Sequence, residues 1–100
     1  MFNYEGQYAK YAMEGNNGLM NFDTLQKARR DLIGEIQAVI EYDAHIHTTA
    51  DNLARETWIN IKNEELVHIG ELLGLLSYLD PNQKAYVQKG FSEFYERQNR

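Results

Sequence analysis

Glu65 and His68 stand three residues apart in the stretch Asn63-Glu64-Glu65-Leu66-Val67-His68. On an α-helix that interval sets a carboxylate and an imidazole side by side on one surface, with Cβ atoms roughly 5–6 Å apart. Both groups are ligands for a divalent cation, the carboxylate through oxygen and the neutral imidazole through nitrogen. A Glu-x-x-His pair alone recurs by chance in many helices. It gains meaning here from Glu35, thirty residues earlier, and from the apolar pattern in which all three residues are set.

That pattern is helical. Leu25, Ala28, Leu32, Val39, Tyr42 and Ile46 follow steps of three and four only if Glu35 is counted among them. Ala54, Trp58, Ile61, Leu72, Leu75 and Leu79 form a second such series, completed by Glu65 and His68. Three polar residues therefore interrupt two otherwise apolar seams. A second apolar row accompanies each seam, Ile33, Ile36 and Ile40 on one helix and Leu66, Ile69, Leu73 and Leu76 on the other. Faces of that width suit a helix bundle with more than one neighbour.

The elements that carry these seams can be bounded from the text. Asp23 followed by Gln26 resembles a capping box, and nothing breaks the helix it opens until about Thr48. Thr48-Thr49-Ala50-Asp51-Asn52 reads as a short turn into a second helix. That helix runs to about Leu79, where Asp80-Pro81 stops it and opens a third, Pro81 to about Arg97, expected to be short and packed against something. If the turn centres near Ala50, Glu35 and Glu65 each lie about 22 Å along their helices at roughly 1.5 Å per residue, so they face each other at one level. Residues 1–22, with Phe2, Tyr4, Tyr8, Tyr11 and three glycines, read as an extended or partly ordered arm ahead of a helical domain over 23–97.

Whole-chain quantities narrow the chemistry. One hundred residues allow a single domain with a modest core, to which a partner would add. Ten basic against fifteen acidic residues, a net charge of −5, argue against nucleic acid as a partner. The absence of cysteine removes disulfides, thiolate zinc sites and iron–sulfur clusters, so a metal must bind through oxygen and nitrogen. No apolar run approaches the roughly 20 residues of a membrane span and the start lacks a signal-peptide pattern; the expectation is a cytoplasmic chain with no membrane partner.

Other residues invite chemical readings and fit plainer ones better. Glu64 lies i, i+4 from His68 but off the seam, as a carboxylate that is solvated or that supports a ligand from behind. His45 and His47, with Glu41 and Asp43 before them, also lie off the seam and read as surface residues. Tyr42 sits on the seam two turns from Glu35, a core tyrosine that could also support the site. Trp58 reads as core.

Buried carboxylates demand a compensating cation or a changed protonation state. Carboxylate-bridged di-iron bundles use one Glu from each of two helices and a Glu-x-x-His from each of the other two. One Glu and one Glu-x-x-His amount to half of that set. Two copies hold four carboxylates and two neutral imidazoles, which two divalent ions bring to about zero net charge.

Leu32-Ile33-Gly34-Glu35, Tyr42, Asn63-Glu64-Glu65-Leu66-Val67-His68 and Asp80-Pro81, with the thirty-residue interval from Glu35 to Glu65, resemble the encapsulated ferritins, short two-helix members of the ferritin-like superfamily. The resemblance covers about residues 25–95. It implies an all-α antiparallel hairpin with a short C-terminal helix that dimerises into a ferritin-like four-helix bundle. It further implies a ring-like assembly of dimers and a di-iron ferroxidase centre at the dimer interface. Glu35 and His68 would then be terminal ligands and Glu65 a bridge between two iron ions. Where family members carry further acidic residues around the first metal glutamate, this chain has Gly34 and Gln37, and Glu41 replaces a tryptophan before the matching tyrosine. The tail Glu96-Arg97-Gln98-Asn99-Arg100 does not look like the family's shell-docking peptide.

The expected function is ferroxidation for iron storage or detoxification, in the cytoplasm or inside an encapsulin compartment. Manganese and zinc suit the same donors. Two rivals stand beside it. One keeps the site but reduces peroxide or dioxygen, in the manner of rubrerythrins or manganese catalases; the other is a non-enzymatic helical oligomerisation module.

Overall fold

The computed structural model describes residues 16–99, and side chains from residue 22 onward. Three helices account for them: α1 (Asn16–Thr48), α2 (Asn52–Leu79) and α3 (Pro81–Gln98). The all-α hairpin followed by a short helix is the expected architecture. The helix ends at Thr48, Leu79 and Pro81 fall where the turn and cap residues set them.

The start of α1 differs. The helix begins at Asn16 rather than Asp23, so residues 16–22, assigned from sequence to the arm, are helical. Leu19, Phe22 and Leu25 recur every three residues, and extending an existing helix is far easier than nucleating a new one. Asp23 and Gln26 therefore lie inside a helix, not at its beginning. The rest of the expected arm, residues 1–15, lies outside the described residues.

The chain divides into two compact units. One is the hairpin Lys27–Gly74. Its turn is built from side-chain caps. Thr49 N donates to His45 O at 3.1 Å and the Thr48 hydroxyl to Ala44 O at 2.7 Å, closing the end of α1. Asp51 then caps α2, its Oδ1 accepting from Ala54 N at 2.8 Å, while Asp51 N donates to Thr49 Oγ1 at 3.1 Å. Arg55 ties the two helices together: Nε donates to Ile46 O at 3.2 Å, Nη1 to Asn52 Oδ1 at 2.9 Å, and Nη2 to Thr49 O. Lys62 reaches Asp43 Oδ1 across the hairpin at 2.6 Å, a second fix on the register.

Within the hairpin the seams turn inward. Leu32, Glu35, Val39, Tyr42 and Ile46 on α1 and Ala54, Trp58, Ile61, Glu65 and Leu72 on α2 are half-buried. The second rows do not follow. Ile33, Ile36 and Ile40 are 57, 45 and 60 % exposed and Leu66 and Leu73 are 47 and 42 % exposed, although Ile69 is half-buried. Two helices meet along one stripe each, so a wider face needs further helices to cover it.

The second unit gathers the described residues 16–26 and 75–99. Leu25 and Leu76 are its buried apolar side chains. Asp80, 7 % exposed, caps α3: its Oδ1 accepts from Asn82 N at 3.1 Å and Gln83 N at 3.2 Å, and Pro81 fills the first helical position. Val87, Phe91, Phe94 and Tyr95 of α3 remain exposed, where sequence had them packed.

Candidate metal centre

The hairpin brings Glu35, Glu65 and His68 together, one ligand atom from each lying within 4.8 Å of the other two. The level matching follows from the caps described above, which centre the turn on residues 49–51. His68 turns Nδ1 toward both carboxylates, 3.7 Å from Glu35 Oε1 and 3.6 Å from Glu65 Oε2. These separations are too long for hydrogen bonds. They are close to the spacing of donors around one ion, since ligand atoms about 2.1 Å from a common metal stand roughly 3–3.5 Å apart. Oxygen and nitrogen donors of this kind suit iron, manganese or zinc.

Burial is uneven. The Glu35 and Glu65 side chains are 27 and 18 % exposed and His68 is 49 % exposed. The carboxylates are thus partly desolvated, which raises the free energy of leaving them unpaired. The imidazole borders an open cleft of about 650 Å³ that Gly34 and Leu72 also line. Among the described residues, one chain groups three donors here.

Two carboxylates on the same cleft escaped the sequence reading. Asp31 lies one turn before Glu35 and Glu71 one turn after His68, and both line the cleft together with Arg30. Their signal was the i, i+4 and i, i+3 spacing to the site residues, obscured because they sit off the seams.

The remaining candidates fall elsewhere. Glu64 is exposed and absent from the donor group. Tyr42 is half-buried and meets His45 edge-on, ring centroids 6.3 Å apart. His45 in turn leans on Trp58 at 4.9 Å, so it covers the aromatic part of the core. His47 donates from Nδ1 to Asp43 O at 2.7 Å, an exposed helix-end bond. Neither histidine joins a metal-ligand group among the described residues.

No family profile matches the chain. Among curated proteins it is similar to the ferritin-like–encapsulin shell fusion protein of Pyrococcus furiosus, 30 % identical over 74 residues, or 74 % of this chain. The chain spans about a fifth (21 %) of that protein's length. Among solved structures it is similar to the encapsulated ferritin domain from Pyrococcus furiosus, with 29 % identity and a TM-score of 0.73 over 76 % of this chain and 78 % of that one. Sequence and fold agree, and the chain belongs to the encapsulated ferritin family.

Proposed function

We propose that the chain oxidises ferrous iron at a dinuclear site formed when two copies bring their clefts together. The observation that carries this reading is the set of three donor atoms within 4.8 Å, contributed by two helices and bordered by an open cleft. A second copy related by a two-fold axis supplies the other half: four carboxylates and two imidazoles around two ions. With divalent ions the ligand set is neutral, which removes the penalty of enclosing carboxylates in an apolar interface.

In this reading Glu35 and His68 each hold one ion and Glu65 lies between the two. Iron is the substrate. Two ferrous ions lose one electron each to dioxygen, which takes up two protons and leaves as hydrogen peroxide, and the ferric ions pass on to storage. The chain's own part is to fix two ions side by side and to exclude bulk water by closing the cleft. His68 must present Nδ1 without its proton, so the ring carries hydrogen on Nε2 in the loaded site.

The likeness to a ferritin-like domain fused to a shell protein supports work within an encapsulin compartment, with iron mineral stored inside. No described helix is long and apolar enough to cross a membrane. The test is ferrous oxidation followed by oxygen uptake with Glu65→Ala and His68→Ala. Both variants should fall to the rate of free iron. Wild-type rates in both would overturn the reading, and peroxide consumption that outpaces iron oxidation would replace it.

A further inference from the structure

We propose that two ion pairs, Arg30 of each copy with Glu41 of the other, clasp the paired metal clefts at their two ends. The inference rests on the face-to-face pairing of two copies proposed above and names the residues that set its orientation. Both side chains project from the cleft side of α1. Counting about 100° per residue, Gly34, Glu41 and Arg30 lie about 100°, 120° and 140° round α1 from Glu35 in one sense, and Arg30 and Gly34 line the cleft. Ile33, Ile36 and Ile40 turn the opposite way, so the helix has one polar and one aliphatic side. Arg30 and Glu41 are exposed, and among the described residues neither joins an ion pair within its own chain. They cannot pair with each other there, since their positions in the sequence separate them by roughly 16 Å along the helix.

A two-fold axis removes that separation. Glu65 lies between the two ions in the proposed site, so both copies of Glu65 must reach the same pair of ions. An axis perpendicular to the helices sets each helix against its own copy, antiparallel and about 8–10 Å away, with the two Glu65 residues directly opposite. An axis along the bundle puts them on its longer diagonal, so the perpendicular axis is the one that serves the site. It passes at the level of Glu35 and carries a residue above that level to an equal distance below it. Arg30 lies about 7.5 Å toward one end of α1 and Glu41 about 9 Å toward the other. Arg30 therefore meets the partner's Glu41 within about 1.5 Å of level, and the reciprocal pair forms at the far end.

Two features of the same face fit this contact. Gly34 lies beside the axis, and a Cβ added there would meet nothing within 4 Å of its own chain; a bare backbone at that point lets two α1 helices approach closely. Arg30 shares the cleft with the carboxylates of Asp31 and Glu71, which repel a partner's carboxylate. The guanidinium is what such a group can approach on this rim, and its planar fork holds a carboxylate through two parallel hydrogen bonds. Clasped at both ends, the clefts close over the His68 rings, each 49 % exposed in a single chain, and bulk water is kept from the site. Arg30 and Glu41 are positioning residues: they touch no ion and act by fixing which helix faces which.

Charge exchange between copies tests the clasp. In Arg30→Glu two carboxylates meet at each end of the dimer, and in Glu41→Arg two cations do, so each substitution acts twice. Each variant alone should bind zinc, used as a redox-inert probe, at least about tenfold more weakly than wild type in calorimetric titration. An equimolar mixture of the two should recover wild-type affinity, because a dimer of unlike chains again sets opposite charges together at both ends. Native mass spectrometry should find those mixed dimers, and circular dichroism should find each variant as helical as wild type. Wild-type affinity in both single variants, or recovery when Arg30→Glu is mixed with Glu71→Arg instead of Glu41→Arg, overturns the clasp and leaves the metal reading standing. If none of the proteins binds zinc while the mixture still forms mixed dimers that neither variant matches alone, the metal reading fails and the clasp stands. Neither zinc binding nor mixed dimers removes both.

Discussion

Replacing Glu65 with glutamine should change stability in opposite directions with and without metal. Glu35 and Glu65 offer carboxylate oxygens within 4.8 Å of each other. Two like charges at that distance repel by about 1 kcal/mol in the solvated limit and about 3.5 kcal/mol at an effective dielectric of 20. Both side chains retain some exposure, 27 and 18 %, so the lower figure is the safer expectation. In chelator the glutamine variant should be more stable by about 1 kcal/mol. For a chain of this size that raises the melting midpoint by about 4–8 °C. With metal the order should reverse. Wild type gains about 2.7 kcal/mol at a hundredfold excess over the dissociation constant, about 10–20 °C, and the variant, lacking a ligand, gains less. Scanning calorimetry with chelator and with anaerobic ferrous iron reads both signs. If Glu65 were a register device bonded to His68, glutamine would lower or preserve the midpoint in both conditions. A shift of one sign in both would therefore refute the metal-centred account of this seam.

Two further predictions concern the scaffold. Arg55→Ala removes hydrogen bonds to Ile46 O, Thr49 O and Asn52 Oδ1 and should lower stability by about 1–3 kcal/mol in urea unfolding. Because the turn sets the level of Glu35 against Glu65, the same variant should also bind zinc more weakly in calorimetric titration; unchanged affinity would show that the helices hold their register without it. Asp80→Ala removes the cap of α3, whose Oδ1 accepts from Asn82 N and Gln83 N, and should lower stability by about 1–2 kcal/mol. Iron oxidation per folded chain should not change, since the donor group lies entirely in the other unit.

The grouping of Glu35, Glu65 and His68 was legible because helical periodicity and turn chemistry are local. A carboxylate that completes a run of threes and fours, as Glu35 does, reports its own direction without any coordinates. Thr48 to Asn52 and Asp80-Pro81 mark helix ends through bonds made within a few residues. Together they fix the level at which Glu35 meets Glu65. The start of α1 at Asn16 was less legible, since Asp23 and Gln26 form a cap only if the chain before them is not already helical. Arg55 was hidden for a different reason. Its acceptors are mainly backbone carbonyls at Ile46 and Thr49, and every residue carries a carbonyl, so nothing in the residue types marks them.

By itself the sequence determined three helices, a group of two carboxylates and an imidazole on two seams, and a thirty-residue interval that brings them together. Only the tertiary structure decided how much of each wide apolar face one hairpin covers. Ile33 and Leu66 are as apolar as Leu32 and Ile61, yet the first pair is exposed and the second half-buried. Periodicity gives the angle between rows on one helix, but the rotation of each helix about its own axis comes from packing against the other. Asp43 and Lys62 show the same limit, for their pairing at 2.6 Å joins residues at different levels through the long lysine stem. The hairpin's two unlike sides, one polar around the donors and one aliphatic, emerge only when both helices are set in that mutual rotation.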